Sequence, residues 1–246
     1  MSVRDDIRAL ADEYARQLKE KIDERVEDMD EDDKSHFLIY QVLGVSDEEG
    51  RLIDVYQNKG RFLYRYAGSF LENVAKLCFK STYPESGALR IENTQGRRPR
   101  TFEIDCLVGS DALEIKWRDA TTDGDHITKE HTRIQAISAA GYTPIRVMFY
   151  YPNRDQAMII LSARRTWITL RKLRSIQATP VLAQTMIMAR DQAVKIQKTL
   201  ETLYAGIGGR YYFGDAAWAY VHERTGVDLK AILEELAAER GGNHAG

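Results

Sequence analysis

Cysteine, long apolar runs and a signal-peptide pattern are scarce or missing in this sequence. Only two cysteines occur among the 246 residues, Cys78 and Cys106, which excludes a disulfide framework and a cysteine zinc site. No apolar run approaches the ~20 residues that a membrane-spanning helix needs. The first residues, MSVRDDIRALADEY, are charged throughout and lack the apolar core of a signal peptide. We therefore expect a cytoplasmic protein with no membrane association.

The charge of the chain is small in sum but uneven along its length. Hydrophobic residues make up 43% and charged residues 29%, the balance of an ordinary globular protein. The net charge of −2 divides into −8 over residues 1–60, +7 over residues 61–180 and −1 over residues 181–246. A basic middle favours a polyanionic partner such as nucleic acid. Acidic helices that merely solvate the two ends explain the same pattern equally well.

Several segments carry the three- and four-residue spacing of amphipathic helices. Apolar residues at this spacing predict helices over Val3–Val26, over Arg61–Lys80 and from about Ile127 to Ala140. A turn-rich stretch is predicted around Asp47–Gly50. A heptad-like seam from Met186 to Leu203 predicts a further helix.

The middle of the chain changes to a period of two. Arg100–Val108 and Ala112–Trp117 both alternate and are separated by a turn at Gly109–Asp111, a pattern typical of a β-hairpin. Further strands are predicted at Pro144–Tyr151 and Ala157–Ser162. Helix, hairpin, helix and strands in this order predict an α/β core with a mixed central sheet.

One face of the hairpin carries the residues that suit catalysis. If the apolar side chains share the core face, Asp105, Glu114 and Lys116 share the opposite face. Carboxylate oxygens are the ligands that Mg²⁺ prefers, and a bound metal can make water acidic. A neighbouring lysine can orient that water and offset the charge that develops during phosphodiester hydrolysis. The alternative is an ordinary solvated sheet face with cross-strand ion pairs.

Residues around the hairpin add to this hypothesis. Glu72 lies on a helix stripe with small neighbours and could reach a metal, although a solvated glutamate fits as well. The loop that leads into the first strand carries Arg97, Arg98 and Arg100, which suit contacts with DNA phosphates.

Further candidates for DNA binding follow the second strand. Arg118 and Asp119 leave it directly beside the proposed site, and such side chains can read base edges. His126 and Lys129 in the next helix join these candidates. His126 and His131 are five residues apart and do not match the four-residue spacing of zinc helices.

The segments EIDCLVG and EIKWRDATTDGDHITKEH carry a family resemblance. With the preceding helix they resemble the PD-(D/E)xK nucleases, over about Arg61–Ser162, and more closely the ApaLI-like type II restriction endonucleases. Ile104 replaces the proline that usually precedes the first aspartate of the motif. The resemblance implies a restriction-endonuclease-like fold: a mixed sheet flanked by helices, with helical additions at both ends.

The resemblance also implies roles and partners. Asp105 and Glu114 would be metal ligands, Lys116 the catalytic lysine and Glu72 an accessory acid that could also bind metal. The reaction would be Mg²⁺-dependent cutting of double-stranded DNA at a short specific site, with a cognate methyltransferase protecting the host DNA.

We interpret the chain as a single nuclease domain over residues 1–246 that acts as a homodimer. It would comprise an acidic helical region (1–60), a catalytic core (61–174) and a helical C-terminal region (175–246). A repair or junction-resolving nuclease of the same fold is one alternative. A non-catalytic DNA-binding regulator, using the helices after Asp215, is another.

Overall fold

A computed structural model describes residues 2–96, 98–117, 124–150 and 201–242, with only the helical backbone for Asp30 and for residues 124–129 and 241–242. By its internal contacts the chain divides into two compact units, Met1–Leu77 and Cys78–Gly246. None of the described helices combines the length and the apolar character needed to cross a membrane. The prediction of one nuclease domain with internal boundaries at 60 and 174 stays a prediction.

The first unit consists of helices, which are α1 (Val3–Glu31), α2 (Phe37–Val42) and the greater part of α3 (Asp47–Thr82). The ring of Tyr14 on α1 packs on Tyr66 and Phe70 of α3, and Asn73 donates a hydrogen bond of 2.6 Å to its hydroxyl group. The apolar stripe of α1 is therefore used, at least in part, for packing within this unit.

The prediction of a turn-rich stretch around Asp47–Gly50 is wrong, because α3 begins at Asp47. The Ser46 hydroxyl accepts a hydrogen bond from the Glu49 N–H, and the Glu49 carboxylate accepts one from the Ser46 N–H at 2.9 Å. This reciprocal capping box satisfies two backbone donors that a helix start otherwise leaves unpaired. It allows the helix to begin well before Arg61, in a segment whose side chains favour turns.

Large apolar side chains are unusually exposed on α2 and on the first half of α3. Among the described residues, nine of the ten large apolar side chains that are strongly exposed lie there: Leu38, Ile39, Val42, Leu43, Leu52, Ile53, Tyr56, Leu63 and Tyr64. We call these nine residues the α2–α3 apolar surface. Exposed apolar side chains in such number usually mark a site of contact with another molecule.

The second unit contains a five-stranded mixed sheet in the order β1-β2-β3-β4-β5. The strands are β1 (Gly87–Glu92), β2 (Thr101–Val108), β3 (Asp111–Lys116), β4 (Thr143–Met148) and β5 (Arg210–Phe213). β1, β2 and β3 pair antiparallel, whereas β3, β4 and β5 pair parallel. The predicted α/β class with a mixed sheet flanked by helices is confirmed.

The predicted strands of the hairpin and the strand after it match β2, β3 and β4 within a few residues. β1 and β5 were not predicted, because the short segments GALRIE and RYYF carry little alternation of their own. They become strands by adding to the two edges of a sheet that is already formed. The predicted strand Ala157–Ser162 and most of the seam Met186–Leu203 lie outside the described residues.

Helices cover the sheet and make its middle strands a buried core. α4 (Gly124–Ala139) packs Ala136 and Ile137 against Ile104 and Ala112 of the hairpin. On β3 the four residues 112–115 are all buried. Two further helices, α5 (Asp215–Thr225) and α6 (Leu229–Gly242), follow β5. The candidate site thus lies on strands whose neighbours hold them rigidly in place.

Candidate active site

The turn between β2 and β3 sets which side chains share a face of the hairpin. Gly109 adopts a φ of +60°, which glycine accepts without strain, and Val108 pairs with Asp111 across the two-residue turn. Cys106 pairs with Leu113 in the same register. Asp105 comes directly before this paired stretch, and its side chain lies against β3, where it accepts a hydrogen bond from the Ile115 N–H.

The structure brings Asp105, Glu114 and Lys116 into one cluster. The Lys116 ammonium lies 2.9 Å from Glu114 Oε1 and 3.5 Å from Asp105 Oδ2. The backbone N–H of Ile115 donates to the same Asp105 oxygen at 2.9 Å, which fixes the carboxylate against the strand. Because both carboxylates reach one ammonium, these two oxygens lie at most about 6.4 Å apart. Two acids held this close together can act on one bound group.

Glu114 is buried and both Asp105 and Lys116 are half-buried, so a solvated hairpin face does not describe the cluster. Glu114 is only 6% exposed, and the side chains of Asp105 and Lys116 are 16% and 30% exposed. Burying an ionised carboxylate is costly unless a cation or hydrogen bonds compensate it. The lysine can still be reached from solvent, whereas the glutamate is enclosed. The site therefore combines a protected acid with an accessible ammonium group.

Helix α4 contributes two charged residues that sequence reasoning missed. The guanidinium group of Arg133 lies against Glu114 Oε2, and it also donates to the Glu103 carbonyl oxygen at 3.0 Å. Glu130, three residues earlier, lies 3.8 Å from the same guanidinium. The signal available in the sequence was the i,i+3 spacing of the two residues on a predicted helix. That spacing alone gives no indication that the helix packs over the hairpin.

Glu130 connects the site to the next strand and to the helical segment at residues 201–205. Its carboxylate accepts a hydrogen bond from Arg146 of β4 at 2.8 Å and another from the Tyr204 hydroxyl. Burial, followed by the negative charge of Glu130, raises the pKa of Tyr204 well above its ordinary value. The hydroxyl therefore remains protonated and serves as a donor to Glu130.

The carboxylates present fit a divalent cation that is shared with substrate. Mg²⁺ usually takes one or two protein carboxylates and fills its other positions with water and phosphate oxygens. Asp105 and Glu114 supply such a pair, and Glu114 Oε2 accepts no hydrogen bond of good geometry although it is buried. No group of three or more metal-ligating side chains occurs within the described part of the chain. The site is thus suited to an ion held jointly with DNA.

The remaining predicted site residues are distributed as follows. Arg98 and Arg100 are exposed in the segment before β2. Glu72 is half-buried on α3, in the part of that helix that belongs to the first unit. Arg97, Arg118 and Asp119 lie outside the described residues, and for His126 and Lys129 only the α4 backbone is described. Cys78 and Cys106 are buried thiols, as expected of core residues.

A mixed sheet with an aspartate on one strand, a Glu-Ile-Lys sequence on the next and flanking helices defines a restriction-endonuclease-like nuclease. The model of the ApaLI-like restriction endonuclease family matches residues 1–167 and 165–238 of the chain. The protein belongs to this family, which confirms the resemblance inferred from its motifs. It is accordingly a restriction endonuclease, a DNA-binding hydrolase. Comparison with the curated proteins yields no match, and neither does comparison with the solved structures.

Proposed function

We propose that the protein is a type II enzyme that uses Mg²⁺ to cut both strands of DNA at a short palindromic site. The observation that carries this proposal is the buried cluster of Asp105, Glu114 and Lys116 in a chain of the ApaLI-like family. Asp105 and Glu114 would hold the ion. When bound, Mg²⁺ supplies an acidified water and stabilises negative charge on the phosphoryl oxygens.

The protein's own residues supply orientation and charge in this reaction. Asp105 is held against β3 by the Ile115 N–H, and the same carboxylate oxygen lies 3.5 Å from the Lys116 ammonium. Lys116, with 30% of its side chain exposed, is placed to orient the attacking water and to offset the charge on the phosphoryl oxygens. Glu72 is proposed as an accessory acid that assists metal binding.

Arginines before β2 are proposed to hold the DNA backbone. Arg98 and Arg100 are exposed, and they belong to the segment of the chain that carries a net charge of +7. Phosphate contacts fix orientation without reading sequence. We assign Arg97 to the same role. Readout of the site is assigned to side chains after β3 and on α4, namely Arg118, Asp119, His126 and Lys129.

A homodimer is the simplest way for one such site per chain to break both strands of a palindrome. A contact of ordinary size takes about 800 Å² from each copy, and the nine residues of the α2–α3 apolar surface supply area of that order. Residues 1–60 carry a net charge of −8, which disfavours DNA as the occupant of this surface. We therefore place the contact between two copies there, in preference to α1 or the seam at residues 186–203.

Sedimentation tests the dimer. We expect a mass near twice 28.1 kDa in the absence of DNA. Val42 and Leu43 are both 74% exposed, so Val42→Asp or Leu43→Asp should give a folded monomer. Ile196→Asp and Leu200→Asp serve as comparison variants on the seam. A monomeric wild type would contradict the dimer, and a monomer produced by the seam variants alone would place the contact on the seam.

A methyltransferase of matching specificity is the functional partner that a cytoplasmic restriction enzyme needs, since host DNA carries the same sites. Its recognition sequence must then equal the one that the nuclease cuts. Plasmid DNA modified by that methyltransferase should resist cleavage, whereas unmodified plasmid should not.

Digestion of a supercoiled plasmid of known sequence tests the function as a whole. With Mg²⁺, we expect the plasmid to give discrete fragments, and linear product to appear without much nicked intermediate. The variants Asp105→Asn and Glu114→Gln should not cut it. Preference for branched substrates would instead indicate a junction-resolving nuclease. Tight binding without any cutting would indicate a regulator.

A further inference from the structure

Arg133 is held from three sides at the edge of the active site. Its guanidinium group lies against Glu114, donates to the Glu103 carbonyl oxygen at 3.0 Å and lies 3.8 Å from the Glu130 carboxylate. The side chain is only 12% exposed. A residue with this many fixed contacts keeps its charge in one place. The nearest carboxylate oxygen, Glu114 Oε2, belongs to a proposed metal ligand.

The charges of the cluster balance one another. Three carboxylates and three cations of the second unit are linked by ion pairs, namely Asp105, Glu114 and Glu130 with Lys116, Arg133 and Arg146. The formal charges of these six described residues add to zero, so the three carboxylates are already offset by three cations before any divalent ion arrives. A cation entering at Glu114 must therefore bind beside the fixed positive charge of Arg133.

We propose that Arg133 is the resident counter-ion of Glu114, a positioning residue that sets how tightly the site binds a divalent cation. This inference rests on the proposed function, in which Glu114 is a metal ligand. In the metal-free protein, Arg133 compensates the buried carboxylate and holds its orientation. In the metal-bound protein, its charge opposes the ion and keeps the affinity low until DNA phosphates add negative charge.

Glu130 controls the strength of this effect. It shares the guanidinium of Arg133 with Glu114, and it is itself anchored by Arg146 and by the hydroxyl of Tyr204. Neutralising Glu130 removes a negative charge from the cluster, so one carboxylate fewer offsets the guanidinium group of Arg133. The ion should then bind less tightly, which is the opposite of what removing Arg133 does.

Calorimetric titration of Ca²⁺ into the intact protein without DNA tests the proposal. A dication about 6 Å from a unit charge is repelled enough, even with the screening of water, to change affinity roughly tenfold. We expect Arg133→Met to bind Ca²⁺ about tenfold more tightly than wild type and Glu130→Gln to bind it several-fold less tightly. Arg133→Lys keeps the charge and should remain close to wild type. The matched control is Arg90→Met, which removes a 75% exposed arginine from β1 and should change nothing.

Each result either supports or overturns the proposal. Unchanged or weaker Ca²⁺ binding by folded Arg133→Met overturns it, and weakening by both Arg133→Met and Glu130→Gln indicates a structural role only. If Arg133→Met does not fold, Arg133→Gln, which removes the charge but keeps a hydrogen-bond donor, takes its place: tighter binding supports the proposal, and unchanged or weaker binding overturns it. Glu114→Gln separates the two levels of inference. If that variant binds Ca²⁺ as wild type does, the metal site itself is misplaced and the role of Arg133 is overturned with it. If Glu114→Gln loses Ca²⁺ affinity but Arg133→Met binds Ca²⁺ as wild type does, the metal site stands and only the counter-ion role of Arg133 is overturned.

Discussion

Lys116 offers the sharpest test of the catalytic cluster, because its loss should affect the reaction far more than the fold. The Lys116→Met change removes an ammonium group 2.9 Å from Glu114 and 3.5 Å from Asp105 while keeping most of the side-chain volume. Leaving a buried charge wholly unpaired costs about 3–5 kcal/mol. Here Arg133 still compensates Glu114, so we expect the free energy of unfolding to fall by only about 1–2 kcal/mol.

The effect on the reaction is expected to be much larger. A charged group that orients water or stabilises developing charge contributes roughly 10²–10⁴-fold to the rate. Single-turnover cleavage of plasmid DNA in Mg²⁺ should slow by that factor, while binding of the same DNA in Ca²⁺ persists. Lys116→Arg should recover only part of the rate, since the planar guanidinium cannot occupy the place of a compact ammonium.

The control variant for this experiment is Lys230→Met. Lys230 pairs at 3.5 Å with Asp215, whose side chain is 97% exposed, and surface pairs of this kind contribute about 0–1 kcal/mol. Stability and cleavage should both remain at the wild-type level. Cleavage by Lys116→Met within threefold of wild type would refute the assignment. So would a loss of cleavage that merely follows the fraction of unfolded protein.

Three further predictions concern DNA binding, the core and a buried thiol. Arg98→Ala and Arg100→Ala should weaken binding to all DNA sequences alike. The slope of log K against log salt concentration should become shallower by about 0.9 per lost phosphate contact, as measured by fluorescence anisotropy. An unchanged slope would show that these arginines do not contact DNA phosphates. Ile104 is 1% exposed in the packing between β2 and α4. Ile104→Ala should therefore lower the free energy of unfolding, measured by urea denaturation, by about 2–5 kcal/mol. A loss below about 0.5 kcal/mol would contradict that packing. Burial raises the pKa of Cys78 to about 12, so the native thiol should resist Ellman's reagent at pH 8. Because a thiol ionises more easily in the unfolded chain, the contribution of Cys78 to stability should be complete below about pH 9 and should be lost as the pH rises towards 12. Comparing the free energy of unfolding of Cys78→Ser with that of wild type across this pH range isolates the contribution.

Local pattern in the sequence was sufficient for the hairpin and for the residues that it carries. Strand alternation has a period of two, and a short turn aligns the two strands, so the side chains of Asp105, Glu114 and Lys116 had to share one face. The same reasoning identifies the buried cysteines and the helices with strong three- and four-residue spacing. These features depend on residues close together in the chain, where spacing determines geometry.

Other features depend on residues far apart in the chain, and only the tertiary structure decided them. The edge strands β1 and β5 form because an existing sheet accepts their backbone hydrogen bonds, not because of their own pattern. The burial of Glu114 likewise requires α4 to pack over the hairpin, which brings Arg133 against its carboxylate. The spacing of these two residues carries no such information, since the angle at which a helix crosses a sheet is set by the packing of the whole core. The sequence by itself thus determined which acids and which lysine share one face of the hairpin. The packing of α4, β4 and the segment at residues 201–205 determined that Glu114 on this face is enclosed and that Arg133 lies against it.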